Sequence, residues 1–392
     1  MVARMQQSST RAGRYVRQQA GKLTEYSSFV PSPLPPSPPL QIDDDMADRL
    51  SKADRAIGRL DGSTGALPNP DLFVMMYVKK EAVLSSQIEG TQASLVEVLQ
   101  IEAEVLNPDH PSDAGDVFSY INALNFGLAR LNELPISQRL FCEIHERLME
   151  GTRGKDKSPG EFRVTQNWIG PQGCNLNNAR YVPPAVPDMR TALNDLEVFL
   201  HDNRLMPFLI KVGLAHAQFE TIHPFLDGNG RIGRLLITFL LCEKGLLQSP
   251  LLYLSYYFKL HRVEYYDRLQ AIRDHGDWEG WIRFFLTGVE TVATEATIVA
   301  RKITALRELD RSALIATSGR ITSDSLILYE SLFERPVVTI TMVQTIIGKG
   351  FPASNRLVRH FQEMGILKEV SGKSRGRVFV HQRYFELFED PQ

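Results

Sequence analysis

His223-Pro-Phe-Leu-Asp-Gly-Asn-Gly-Arg-Ile-Gly-Arg234 stands where two apolar runs of helical spacing meet, Pro207 to Thr221 before it and Arg231 to Lys244 at its end. Gly228, Gly230 and Gly233 have the spacing of a dinucleotide-binding fingerprint, which needs a strand before it and an acid about 20 residues on. Leu205 to Ile222 reads as helix instead, so a doubly wound sheet is set aside. His216, Glu220 and His223 fall at i, i+4 and i+7, which describes a helix face as readily as a metal cluster, and the His-Glu-x-x-His order of zinc hydrolases is missing. A third reading uses the loop as a nucleotide cradle. Backbone N–H groups of Gly228, Asn229 and Gly230, opening a helix near Arg231, form an anion hole at its positive end, and glycines let phosphate come close. Arg231 and Arg234 share a helix face and can grip a polyphosphate by paired hydrogen bonds. Asp227 is a hard carboxylate suited to Mg2+ on two phosphates, and His223 is a base that is neutral near pH 7. The pattern predicts phosphoryl or nucleotidyl transfer.

Outward from this loop the chain reads mainly α. Helices are expected over 46–60, 71–86, 95–106, 113–131, 137–150, 187–201, 207–221, 231–244, 262–275 and 278–309. One interruption differs: Gly160-Glu-Phe-Arg-Val-Thr-Gln-Asn-Trp-Ile-Gly170 and Ala179-Arg-Tyr-Val-Pro183 are β-rich runs joined by a Gly- and Asn-rich loop, which predicts an inserted β-hairpin. Ahead of the helices, Arg4, Arg11, Arg14, Arg17 and Lys22 precede the first acid, Glu25, and read as a disordered basic tail rather than a targeting segment. Pro31 to Pro39 follows as an extended proline-rich spacer packed on a surface.

The end of the chain reads as a separate unit. Helices are expected at 323–333, 342–347 and 353–364, then two short strands, 368–370 and 377–380, around a basic turn, Ser371-Gly-Lys-Ser-Arg-Gly376. That order resembles a winged helix-turn-helix, with Ser354, Asn355, Arg356, Arg359 and His360 on the recognition helix and Arg375 in the wing. From Ile346 to Arg383 eight Lys and Arg face only Glu363 and Glu369, the charge footprint of DNA binding, although such units also serve as protein-interaction modules.

Composition bounds the rest. With 392 residues, 43% hydrophobic, 23% charged and a net charge of −2, the chain is long enough for two or three domains, and nucleic-acid affinity must come from a local patch. Cys142, Cys174 and Cys242 are odd in number and widely spaced, which argues against a disulfide framework or structural zinc and for a reducing, cytoplasmic setting. The most apolar stretch, Leu235 to Cys242, is only eight residues long where a bilayer span needs about 20, so no membrane helix is expected.

The signature resembles that of the Fic (Fido) family, His-Pro-Phe-x-[Asp/Glu]-Gly-Asn-Gly-Arg-x-x-Arg, at every fixed position. The likeness extends over roughly residues 60 to 290: Gln166-Asn-Trp-Ile-Gly170 and Tyr181-Val-Pro-Pro184 look like the family's target-docking flap, and Ser85-Ser-Gln-Ile-Glu-Gly90 like its inhibitory motif. The resemblance implies a Fic-type helical bundle whose flap spans 160–184 inside a catalytic core at 136–290. It also implies an inhibitory N-terminal helical region at 46–135 behind the extension 1–45, a helical linker at 291–322 and the winged helix at 323–392. It further implies a protein adenylyltransferase that uses ATP and Mg2+ to place AMP on a Ser, Thr or Tyr hydroxyl of a target protein, itself included. His223 is then the base, Asp227 the Mg2+ ligand, and Pro224, Phe225, Leu226, Gly228, Asn229, Gly230, Arg231 and Arg234 the nucleotide loop, with Phe225 a core anchor for it. Tyr256 and Tyr257 could flank adenine, Gln166, Asn167, Trp168, Ile169, Tyr181 and Val182 would dock the target, and Ser85, Glu89 and Gly90 would inhibit through Arg234. Two rivals stand beside it: a phosphodiesterase of the same fold that removes AMP, and a nucleotide-sensing DNA-binding regulator. The resemblance leaves the oligomeric state open, a homodimer included.

Overall fold

The computed structural model describes residues 11–22, 24–65, 70–102, 113–150, 156–317, 322–372 and 376–388. Its first element corrects the sequence reading. From Arg11 onward the basic stretch is ordered, as antiparallel strands β1 (Gly13–Gln18) and β2 (Tyr26–Pro31), with Gly13 opposite Pro31 and Gln18 opposite Tyr26. Positive charge suggested a solvated tail, but Arg14 and Arg17 stay exposed while Phe29, 1% exposed, packs edge-on to Tyr15 at 5.1 Å and near Tyr181 at 6.5 Å. Arg11 closes the start of the hairpin on Glu279 at 2.7 Å and donates to the carbonyls of Pro38 and Pro39, which pins the extended proline segment to the helical body.

The body is built from α1 (Asp44–Gly65), α2 (Pro70–Ile88), α3 (Leu95–Glu102), α4 (Ala114–Arg130), α5 (Gln138–Met149), α6 (Val186–His201), α7 (Phe208–Ile222), α8 (Asn229–Glu243), α9 (Ser255–Leu260), α10 (Arg262–His275) and α11 (Trp278–Thr317). Asp43 caps α1 by accepting from Met46 N–H at 2.9 Å, and Met46, Ala53, Ile57 and Leu60 turn one stripe inward. α7 and α8 have no solvated face: Leu209 to Ile222 and Arg231 to Leu241 are buried throughout. They form the centre, and the loop 223–228 between them is the signature, so the chemistry-bearing residues start from the most rigid part of the molecule.

The insert between α5 and α6 contains no strand among its described residues. Ile169 and Tyr181 form one isolated bridge, N···O 2.8 and 3.0 Å, in place of the expected β-hairpin. Pro171 beyond one side and Pro183 and Pro184 beyond the other lack the N–H groups a ladder needs, and Gln166 and Asn167 spend their side chains on Pro183 and Phe225 carbonyls.

α11 is a single helix of 40 residues that runs on past the expected end at 309; Val292, Ala293, Ala296, Ala300 and Ile303 carry the buried stripe onward. Beyond it lie α12 (Thr322–Glu334), β3 (Val337–Thr339), α13 (Ile340–Ile347), α14 (Phe351–Glu363), β4 (Leu367–Glu369), β5 (Val378–His381) and α15 (Gln382–Glu386). The sheet has order β3-β5-β4, antiparallel throughout, one strand more than the sequence suggested. Asp310 of α11 anchors this unit, bonding Arg383 at 3.0 Å and the Tyr329 hydroxyl at 3.2 Å. Among the described residues no helix is long and apolar enough to cross a membrane, and the three cysteines are free.

Candidate active site

His223 ends α7 in the left-handed region, φ 50 and ψ 59, a conformation that a non-glycine residue adopts only when its surroundings impose it. Its N–H still donates to Phe219 O at 3.0 Å, and Arg163 donates through Nε to His223 O at 3.0 Å. The loop then folds on Asn229, whose Oδ1 accepts from Phe225 N–H and whose Nδ2 donates to Phe225 O, both at 2.8 Å. The carboxamide is thus occupied in shaping the loop. Phe225 is fully buried and stacks on the His145 ring at 3.8 Å, as a core anchor should. Gly228 sits at φ 76, a backbone conformation that favours glycine, with a Cβ position in tight contact, 3.1 Å, with Met149 Sδ.

At the start of α8 the described geometry brings together the residues that sequence spacing singled out. Asp227 is the exposed acid of the loop, accepting from Gly228 N–H at 2.6 Å, with Arg231 at 3.7 Å. Arg231 itself is buried, and its Nε has no partner among the described residues. Arg234, 2% exposed, donates Nε to Ser85 Oγ at 2.8 Å, and its other nitrogen reaches Ser85 O at 3.0 Å and Glu89 Oε1 at 2.7 Å. The same Glu89 oxygen lies 2.2 Å from where a Gly230 Cβ would be, so the carboxylate rests on the amino end of α8. A carboxylate from the turn that ends α2 therefore stands where an anion would bind. Gly90, at φ 99, turns the chain away just after it.

Around this pair the electrostatics are set mainly by burial. Burial, with Arg163 and Arg273 adding to it, pushes the His223 imidazole down to about 3, so it is neutral and able to accept a proton. His145 is pushed down to about 4, Nδ1 accepting from Gly160 N–H and Nε2 donating to Asp227 O. Burial raises Glu81 and Glu220 to about 7 against the pull of Arg234. Burial opposes the charge on Arg234, yet Glu89, Tyr265 and Glu220 raise its pKa above the usual guanidinium range. His216 is committed elsewhere: Nδ1 donates to Gly233 O at 2.8 Å and Nε2 meets the Tyr265 hydroxyl at 3.0 Å. His216 and Glu220 lie inside α7, whereas His223 is its left-handed cap.

Other expected residues are placed differently. Tyr257 is buried against Phe284 and Gly288, a core position rather than an adenine flank. Tyr256 lines a cavity of about 480 Å³ between α2, α9, α11 and α15 that includes no residue of the signature. Burial raises the phenols of Tyr265 and Tyr266 on α10, with Glu220 adding most to the first and Glu89 to the second while Arg234 opposes both. In the flap, Tyr181 and Val182 are buried, and Val182 O already accepts from Phe29 N–H of β2 at 3.0 Å. That side is closed, which leaves Gln166 to Ile169, with Trp168 43% exposed, as the open edge. On α14 Ser354 is buried and bonds back to Gly350 O, and Asn355 accepts from Arg377, whereas Arg356 and Arg359 are exposed. Arg375 lies outside the described residues.

Comparisons with known proteins follow the same outline. Residues 47–129 match the family model for the Fic/DOC family N-terminal region and residues 135–241 that for the Fic/DOC family. The protein adenylyltransferase Fic of Aedes aegypti is 29% identical over 225 residues, 54% of this chain and 41% of that protein. That of Culex quinquefasciatus is 30% identical over 205 residues, 50% of this chain and 37% of that protein. The chain thus spans about two-fifths of the length of these relatives. A solved Fic family protein from Desulfovibrio desulfuricans G20 shares the fold, with TM-score 0.56 at 17% identity over 88% of this chain and 97% of that one. With Ser85 and Glu89 inside the first family match and the whole signature inside the second, residues 47–241 belong to the Fic/DOC family.

Proposed function

We propose that the protein transfers AMP from ATP to a hydroxyl side chain of a target protein and that Glu89 holds this activity down. The observation that carries the reading is the Glu89 carboxylate on Arg234 and on the amino end of α8, one short loop away from a half-buried His223 whose imidazole is neutral. A triphosphate would be drawn to the same place, by the amides that open α8 and by Arg231 and Arg234. Two anions cannot share one largely desolvated guanidinium without a large Coulomb penalty, so Glu89 and the phosphate tail exclude each other. With the tail displaced, the α-phosphate is misaligned, and about 1 Å of misplacement can cost on the order of 10²-fold in rate.

In the productive arrangement the target oxygen attacks the α-phosphorus, a new P–O bond forms, the bond to the β-phosphate oxygen breaks and pyrophosphate leaves. His223 takes the hydroxyl proton, typically worth about 10²- to 10⁴-fold. Added phosphate charge opposes Arg163 and Arg273 and lifts the imidazole from about 3 toward a more effective base. The α8 amides stabilise the charge on the phosphates. A single exposed carboxylate, Asp227, fits Mg2+ as that ion is usually held, by one or two carboxylates plus substrate phosphates. Bound there, Mg2+ would supply charge neutralisation to the polyphosphate. The open edge Gln166 to Ile169 suits an extended target segment added as a strand. The unit from α12 to α15 is read as a winged helix whose exposed Arg356, Arg359 and Lys368 meet DNA phosphates.

The test is incubation with α-labelled ATP and Mg2+, with and without cell lysate, for wild type, Glu89→Gly and His223→Ala. Incorporation, self-labelling included, should rise at least tenfold in Glu89→Gly over wild type. His223→Ala should abolish it while ATP still binds. Equal or lower labelling by Glu89→Gly would sink the inhibitory role of Glu89, and Glu89-dependent release of AMP from a labelled protein would replace transfer by removal.

A further inference from the structure

We propose that Arg163 is a positioning residue for His223, a buried cation that ties both ends of the flap to the carbonyls around the base, so that a target docked on the flap is registered against the imidazole. The proposal rests on the AMP-transfer reading above. Arg163 is 1% exposed, and its partners among the described residues are all backbone carbonyls. Nε donates to His223 O at 3.0 Å, one terminal nitrogen to Thr165 O at 3.3 Å at the start of the flap and the other to Pro184 O at 2.6 Å at its end. Its own N–H donates to Pro224 O at 2.9 Å. One side chain thus joins its own segment to two others, 21 and 60 residues further on.

Burying a guanidinium without a carboxylate is expensive, and a neutral side chain would hold the core more cheaply. The arrangement makes sense where the fork itself is needed. His223 occupies the left-handed region, which is strained for a non-glycine residue, and Arg163 bonds the carbonyls of His223 and of the residue after it. Releasing that grip lets the loop relax and the imidazole swing. The flap would loosen at the same moment, because its two ends meet on the same guanidinium. Lysine keeps the charge but has no planar fork, so it cannot reproduce the three directions.

Charge and geometry can be separated because other groups near His223 are known. Arg163 of the flap and Arg273 of α10 disfavour the imidazolium, while Asp227 of the loop favours it, and Glu220 of α7 lies one turn earlier as a buried acid. Arg163 contributes nothing to His216, which serves as an internal control.

The experiment compares Arg163→Gln and Arg163→Lys in the full chain, each also combined with Glu89→Gly. Three quantities are measured: ATP affinity, turnover with labelled ATP, and the His223 and His216 titrations by NMR of labelled imidazole. Turnover should fall at least ~10-fold in both variants at unchanged ATP affinity. Arg163→Gln should move the His223 titration to higher pH without moving His216, whereas Arg163→Lys should leave it near wild type. Unchanged turnover in Arg163→Gln, or a His223 titration that stays put, would overturn the proposal, as would a turnover loss in Arg163→Lys that merely parallels loss of ATP affinity. If Glu89→Gly alone transfers no AMP, the function reading fails; the titrations then still decide whether Arg163 governs His223. Should Arg163→Gln not fold, the folded lysine variant decides through turnover at preserved charge, full activity counting against the fork.

Discussion

Glu81 sits one helical turn before Ser85 on the buried side of α2, its Oε1 accepting from the hydroxyls of Tyr120 and Ser255 while Oε2 has no partner among the described residues. Burial raises its pKa from 4.5 to about 7, with Ser255, Arg234 and Tyr120 opposing. Folding therefore takes up a proton between those values, and the stability this group contributes falls as pH rises through the window. Glu81→Gln keeps an oxygen for the two hydroxyls and removes the titration, so the stability of the variant relative to wild type should improve by about 2 kcal/mol between pH 5 and pH 8. Denaturant unfolding of both proteins at the two pH values reads this directly, and a pH-independent difference would refute it. At this scale the signature was legible, because its residues are contiguous and each carries its chemistry in its side chain. Its supporters were not. Arg163, Glu81, His145, Glu220 and Tyr266 reach the site from other elements, and a lone Arg or Glu in a helical or extended run carries no sign of what will face it. Asn229 marks the finer limit: spacing placed it at the phosphate end of the loop, and only the two bonds to Phe225 reveal that its carboxamide is already engaged.

Among the elements, the β1–β2 hairpin has the largest consequence for the site. β2 donates from Phe29 to Val182 O and so covers one side of the flap. Tyr26 adds a bond from its hydroxyl to Gln166 Oε1 at 3.2 Å. Phe29→Ala should cost about 3–5 kcal/mol by emptying the space under Tyr15 and Tyr181. In a protein that stays folded at low temperature it should also reduce labelling of a target more than binding of ATP, since the flap loses its backing and the α8 amides do not. Thermal unfolding and the two binding measurements test this; equal loss of both functions would point to global destabilisation alone. Long amphipathic helices were readable because the 3.6-residue period repeats over several turns, as in α1 and α4. Short extended runs give no such repetition. The hairpin at 13–31 was hidden by its arginines, and the expected one at 160–183 had β-rich composition but prolines where ladder donors were needed, leaving one bridge.

For the whole molecule, the basic excess near the C-terminal end divides once it is folded. Arg383 is held by Asp310 of α11 and by the carbonyls of Met364 and Gly365, and Arg377 by Asn355 and the Phe379 ring, so both serve the unit itself. Lys349, Arg356, Arg359 and Lys368 remain exposed, with Glu363 the exposed acid on α14 beside them. Arg356 and Arg359 are three apart on one helical face, able to meet neighbouring phosphates together. Each phosphate neutralised adds close to one to the slope of log affinity against log salt, so replacing both arginines by alanine in the full chain should weaken duplex binding and lower that slope by roughly 2, at every sequence alike. Arg377→Ala should behave oppositely, loosening the fold around Asn355 and Phe379 with less change in slope. A wild-type chain with no salt-dependent duplex binding would make this face a protein contact instead. The Asp310 anchor would then couple that contact, through α11, to the body that carries Arg234 and Glu89.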